Sequence, residues 1–202
     1  GLCGSALFVF VVINAANFMD GADGMLVAGL FPPALGLAVL LPEGSGLGPA
    51  ALALAASLAA FLAFNRPPAK VFAGDAGSLA AGAAIGGLSL AHAGQGPQGA
   101  VWLAPLLLLP FIGDVLLTLL KRARGGRLSL SAHREHAYQV LLQAGSSHAA
   151  VSRLWLLLAA TATVFCISLT LTDRGPAVFL GGFAIAAAGW LAFYARIHRT
   201  SA

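Results

Sequence analysis

Charge is what this sequence has least of. Asp, Glu, Lys and Arg together make up 9% of its 202 residues, whereas a soluble domain carries roughly 25%. That shortage excludes an ordinary water-soluble globule. Cysteine is nearly absent too. Cys3 and Cys166 both lie inside apolar runs, which excludes a disulfide framework and reads as two buried free thiols. There is no Gly-x-x-x-x-Gly-Lys-Ser/Thr segment and no Gly-x-Gly-x-x-Gly after a strand, so the phosphate loops of the soluble nucleotide-binding folds are absent. Initiator Met and a basic leader with a cleavage site are also missing at Gly1. The expectation is a chain that continues upstream of Gly1.

What is present is apolar. Hydrophobic residues make up 59% of the chain, with a mean hydropathy of +0.89. Seven apolar segments can be drawn, at 2–19, 24–41, 48–65, 77–92, 99–120, 151–171 and 176–196, most of them near the ~20 residues a membrane crossing needs. The reading is an all-α, polytopic transmembrane bundle forming one domain over 1–202. The fourth segment is short and Gly-rich, which predicts a helix enclosed by close neighbours. Pro32, Pro33, Pro105 and Pro110 predict kinks within spans. If the loop at 20–23 is cytoplasmic, ten of the eleven Lys and Arg fall on that side and only Arg174 on the other. The positive-inside rule then places loops 19–24, 65–77 and 121–150 at the cytoplasmic face of the membrane. This bias accounts for the net charge of +4 and calls for no nucleic acid.

Three polar clusters share that face. In "INAANFMDGADG", Asn14, Asn17, Asp20 and Asp23 step by three, a drifting stripe of oxygen ligands at a helix end. In "FNRPPAKVFAGDAGS", two prolines enforce an extended path before a new helix near Gly77. Asp75 there can hold a divalent cation, or it and Ser78 can simply cap the helix. In "LSLSAHREHAYQVLLQAG", His133, Arg134 and His136 suit phosphate oxygens or a weak zinc site, and an interfacial amphipathic helix is the plain alternative. Asp114 lies deep in a span, where an acid is either functional or a structural partner for a buried Arg or backbone group. His92, His148 and His198 read as ordinary interfacial residues. Hard oxygen ligands beside a basic loop describe metal-assisted phosphoryl transfer at a membrane surface.

These three motifs, in this order, resemble those of the polyprenyl-phosphate N-acetylhexosamine-1-phosphate transferases. "NAANFMDGADG" is similar to the family's Asn-x-x-Asn-x-x-Asp-Gly-x-Asp-Gly. "FNRPPAKVFAGDAGS" is similar to its Phe-Asn-x-x-Pro-Ala-x-x-Phe-x-Gly-Asp-x-Gly-Ser, and "HREHAYQ" to its histidine loop. The resemblance implies transfer of sugar-1-phosphate from a UDP-N-acetylhexosamine to undecaprenyl phosphate with release of UMP, O-antigen initiation being the pathway expected. It implies Mg²⁺ (Mn²⁺ as substitute) at Asn17 and Asp75, and Asp20 and Asp23 as acids shaping the nucleotide site. Asn65, Phe72 and Lys70 would contact substrate, Phe72 by stacking on uracil. His133, Arg134 and His136 would grip the pyrophosphate. Membrane lipids and a second copy of the chain are the remaining partners expected. The family's upstream paired-aspartate motif is missing, so 202 residues alone are expected to be inactive. A transporter and a non-catalytic scaffold are the competing classes.

Overall fold

The computed structural model describes residues 1–125, 135–172 and 176–200. Among them all regular structure is helical: α1 (Leu2–Met19), α2 (Met25–Leu40), α3 (Leu47–Asn65), α4 (Gly74–Gln95), a 3-10 turn (Ala100–Trp102), α5 (Leu103–Leu107), α6 (Leu109–Arg124), the short α7 (Ala137–Gln143), α8 (His148–Leu171) and α9 (Pro176–Thr200). Helices α1, α3, α4, α8 and α9 are long and apolar enough to cross a membrane, and the bent unit from Ala100 to Arg124 makes a sixth. At 16 residues, α2 is apolar but shorter. The protein is thus an all-α polytopic membrane bundle, and each of the seven apolar segments falls on one of these units.

Two details differ from the sequence expectation. The segment 99–120 is broken at Leu108, its arms bent by 74°. Pro110 has no N–H to offer the carbonyl four residues back, so the ladder cannot run through. The Pro110 carbonyl itself takes the Trp155 indole N–H at 3.3 Å. By contrast, α2 stays helical through Pro32 and Pro33. The fourth helix begins at Gly74 rather than near Gly77.

The main packings are α1 on α4 and α2 on both α3 and α8. Small residues set their closeness. A Cβ on Gly82 would lie 2.9 Å from the Ile13 Cα, so α4 and α1 touch almost backbone to backbone. Of α4's most apolar stretch, 44% is buried, against 17–28% for the other four long helices, as expected for an enclosed Gly-rich span. Aromatic rings fill the gaps that glycines leave, with Phe111 over Gly29 and Trp190 over Gly113. Trp155 meets Tyr138 and Trp190 edge-on, at 6.3 and 6.2 Å between ring centroids. Quadrupole geometry favours such pairs.

Gly82→Ala should lower the melting temperature in detergent, equivalent to about 1–3 kcal/mol of overpacking. Gly87→Ala has nothing within 4 Å of the new methyl and should leave it unchanged or slightly higher. Equal melting of the two variants would contradict the close α1–α4 approach.

Candidate active site

The first two polar clusters meet at one end of the bundle, and the sequence explains how. Gly24, with φ +74, turns the chain from the short loop after α1 into α2, a conformation open to glycine. Its N–H donates to Asn65 Oδ1 at 2.9 Å, while Asn65 Nδ2 donates to the Val71 carbonyl at 2.9 Å. Asn65 ends α3 and is 1% exposed. It therefore clasps the loop 20–24 to the loop 66–73, with both halves of its amide committed.

Asp23 adds a second clasp. Its Oδ2 accepts the Ala69 N–H at 3.1 Å, its carbonyl accepts the Ser152 hydroxyl, and its own N–H donates to His148 Nδ1 at 3.1 Å. Because that nitrogen is accepting, its 3.4 Å approach to Asp23 Oδ1 is not an ion pair. Ser78 makes the third link. Its hydroxyl is closest to Asn17 Oδ1, at 2.7 Å, so the first turns of α4 sit on the last turn of α1. No side chain caps α4, so the capping alternative for Asp75 and Ser78 does not describe this end. Asn14 donates back to the Phe10 carbonyl of its own helix at 2.8 Å.

The remaining candidates divide by exposure. Asp75, Lys70 and Phe72 are exposed, Phe72 by 70%. Asp20 ends α1, half-buried, with no hydrogen bond or ion pair to its carboxylate among the described residues. Burial alone pushes it up to about 6. His136 precedes α7 and its ring stacks near Phe18, at 6.1 Å between centroids. Phe18 follows Asn17, so the histidine loop reaches the same end of the bundle. Tyr138 donates its hydroxyl to the Phe18 carbonyl at 3.0 Å, and its oxygen occupies the space a Cβ on Gly21 would need. His133 and Arg134 lie outside the described residues.

Several residues that position the site are not evident from sequence. His148 and Ser152 pin Asp23 from α8. His198 bridges the Tyr194 and Glu135 carbonyls, both at 3.1 Å, tying α9 to the start of α7. His92, at the far end of α4 from the site, is fully buried rather than interfacial and takes no part in it. The one available signal is position: polar residues at span ends on the motif-bearing side.

A groove of about 500 Å³ opens beside these clasps between α2, α3 and α8, apolar except for Arg66, Arg153 and Ser152.

Residues 2–93 match the sequence model of Glycosyl transferase family 4. The decaprenyl-phosphate N-acetylglucosaminephosphotransferase of Mycolicibacterium smegmatis is 34% identical over 200 residues, 88% of this chain and 49% of the relative. The phospho-N-acetylmuramoyl-pentapeptide-transferase of Moorella thermoacetica is 44% identical over 88 residues, 43% of this chain and 28% of the relative. The same-named enzyme of Mycobacterium ulcerans is 35% identical over 179 residues, 77% of this chain and 48% of the relative. Along most of its length the chain is thus similar to polyprenyl-phosphate hexosamine-1-phosphate transferases. It spans about half the length of the curated relatives that match most of it. The clasped loops Asp20–Gly24 and Arg66–Ala73, and the last turns of α1, fall within the stretch matched by the family model.

The donor set at this end of the bundle fits a hard divalent cation. Asn17 and Asp75 offer oxygens from adjoining helix ends, and Asp20 is a desolvated carboxylate with no cation beside it among the described residues. No cluster of three or more His, Cys, Asp or Glu occurs among the described residues. Mg²⁺ takes one or two carboxylates and completes its shell with water and substrate phosphates.

Asn65→Ala would strand the Gly24 N–H and the Val71 carbonyl, costing about 1–3 kcal/mol. Hydrogen exchange in residues 66–73 should speed up, and unchanged exchange there would contradict the clasp. Asp20 has its own signature. Between 3.8 and about 6, the folded chain keeps a proton the unfolded chain has released, so stability falls as pH rises through that window and levels off above it. Asp20→Asn should flatten that part of the melting-temperature profile and blunt any rise caused by Mg²⁺ above it. A profile as steep as the parent's would exclude Asp20 as its source.

Proposed function

We propose that this protein transfers N-acetylhexosamine-1-phosphate from a UDP-sugar to a polyprenyl phosphate, at the cytoplasmic face of a bacterial inner membrane. An oxygen of the lipid phosphate bonds to the phosphorus nearer the sugar, the bond from that phosphorus to the bridging oxygen breaks, and UMP leaves with the bridging oxygen. The observation that carries this reading is the clasping of the acidic loop 20–24 to the loop 66–73, which bears Lys70 and Phe72, at one end of an apolar bundle. Soluble diphosphate and lipid phosphate could meet there without either crossing the bilayer.

The residues divide the work. Phe72, exposed on the clasped loop, would stack on the uracil. Lys70 beside it would meet negative charge, and His136 would donate to phosphate oxygens. Asn17 and Asp75 would hold Mg²⁺, which when bound neutralises phosphate charge and orients the diphosphate. N-acetylglucosamine is the hexosamine we favour, because a relative matching 88% of this chain carries that sugar in its name. That name also specifies decaprenyl phosphate, so undecaprenyl and decaprenyl acceptors should be compared directly.

In detergent, UMP release from UDP-N-acetylglucosamine by a form that also carries the upstream paired aspartates should require both polyprenyl phosphate and Mg²⁺. Asp75→Asn should abolish the release. Phe72→Ala should weaken UDP-sugar binding by about 1–3 kcal/mol, the usual worth of base–aromatic stacking. Metal-independent release, or unchanged affinity in the Phe72 variant, would remove those residues from their roles.

A further inference from the structure

We propose that Asp114 is a positioning residue for this transfer, a buried carboxylate that sets the proton and orientation of the His136 ring. The proposal rests on His136 acting at the substrate's diphosphate.

Asp114 lies on α6 within "PFIGDVLLTLL" and is 0% exposed. An ionisable group in such surroundings is costly to keep unless it is used. Its Oδ1 accepts the Ala137 N–H at 2.9 Å and the Thr118 hydroxyl at 3.2 Å. Thr118 is in turn 3.0 Å from the Tyr194 hydroxyl. The carboxylate therefore holds the first residue of α7 from below, and the residue immediately before that one is His136.

The unsatisfied atoms point to the ring. His136 Nδ1 lies 3.5 Å from Asp114 Oδ1. Neither His136 Nδ1 nor Asp114 Oδ2, both buried, has a well-formed hydrogen bond, although the His136 ring also faces the Gln139 N–H in a capping box at the start of α7. Two neighbouring unpaired polar atoms of complementary kind represent an expense that a slight turn of the imidazole would remove. Phe18 and Tyr138 lie near the ring, each 6.1 Å away between centroids and inclined by 27° and 17°, so its freedom is small. With Nδ1 buried against the acid, Nε2 is the nitrogen available to a ligand. A carboxylate at Nδ1 fixes a proton there and supports positive charge on the ring as Nε2 donates to a phosphate oxygen. Phe18 also places the ring one residue from Asn17, at the end of the bundle where Asp20 and Asp75 lie.

Nitrogen-15 spectra of the histidine-labelled full chain in detergent test this directly. His136 should carry its proton on Nδ1 in the parent protein; a neutral ring protonated on Nε2 would overturn the proposal without any variant. Asp114→Asn keeps an acceptor for Ala137 and Thr118 but presents an amide N–H to Nδ1, which should move the proton to Nε2. Turnover should then fall by about 10²-fold, the lower range of what a correctly protonated general acid–base group supplies, with KM for UDP-sugar little changed. His136→Asn should match that loss, and the double variant should be no worse than His136→Asn alone. Losses that multiply, or a fall in turnover with unmoved His136 nitrogens, would reduce Asp114 to a structural residue. Full turnover in His136→Asn, with the nitrogens still moved by Asp114→Asn, would leave the pair intact but overturn its part in transfer, because the reading of His136 would have failed.

Discussion

The two hydrogen bonds of the Asn65 amide are the constraint on which the candidate site depends. One serves the N–H of Gly24, the other the carbonyl of Val71; the first belongs to the loop of Asp20 and Asp23, the second to the loop of Lys70 and Phe72 that leads into α4 and Asp75. Neither backbone group has a helical partner, and in a bundle of this hydropathy each would be expensive to bury alone. Once Gly24 is held, Asp23 is placed within reach of Ala69, His148 and Ser152. The loop that carries Lys70 and Phe72 is then fixed from both sides. Ser78 completes the arrangement from α4 by reaching Asn17. The motif residues are thus partly a fastening for one another.

The bilayer explains why all of this sits at one end. Irregular backbone is tolerated only where water or side chains satisfy it, so the described loops bearing the motifs collect polar side chains while the helices between them stay apolar. The broken unit is the exception. At Leu108 the chain bends within an apolar segment, and the nearby polar groups are drawn into protein: the Pro110 carbonyl meets the Trp155 indole. Beyond the bend, α6 runs on to Asp114, and its carboxylate serves the start of α7. The bend and the buried acid therefore bring the histidine loop back onto α1.

Sequence disclosed the apolar segments, the enclosure of α4 and the polar character of one end, because each is written in composition and in runs of residues. Span periodicity cannot report a 74° bend; Pro105 and Pro110 signal a weak point but no angle. Single histidines at span ends look alike in sequence, yet His148 pins Asp23, His198 ties α9 to Glu135 and His92 is buried. Which of them packs and which binds is set by partners more than a hundred residues away in the first case. Asn65 illustrates the same limit from the other direction. It matched a motif position read as a substrate contact, and in the fold its amide is taken up on both sides by backbone.

That last point gives a physical way to sort a motif. A polar group engaged by its own protein is holding something in place; a side chain left desolvated or exposed without a partner is free for a ligand. Asn65 and the backbone of Asp23 fall in the first class, and Phe72, Lys70 and Asp75 in the second. Asp20 lies between them, drawn far enough from water to raise its proton affinity but given no cation by the described residues. Such a group ionises near neutrality at a desolvation cost, which a positive charge supplied from outside would lower. The fastened loops hold it at the bundle end, beside the groups expected to receive a metal and a diphosphate. In the proposed function, a bound cation would offset the free energy that Asp20 loses by burial, and so would link binding of cation and substrate to the stability of the loop that receives them.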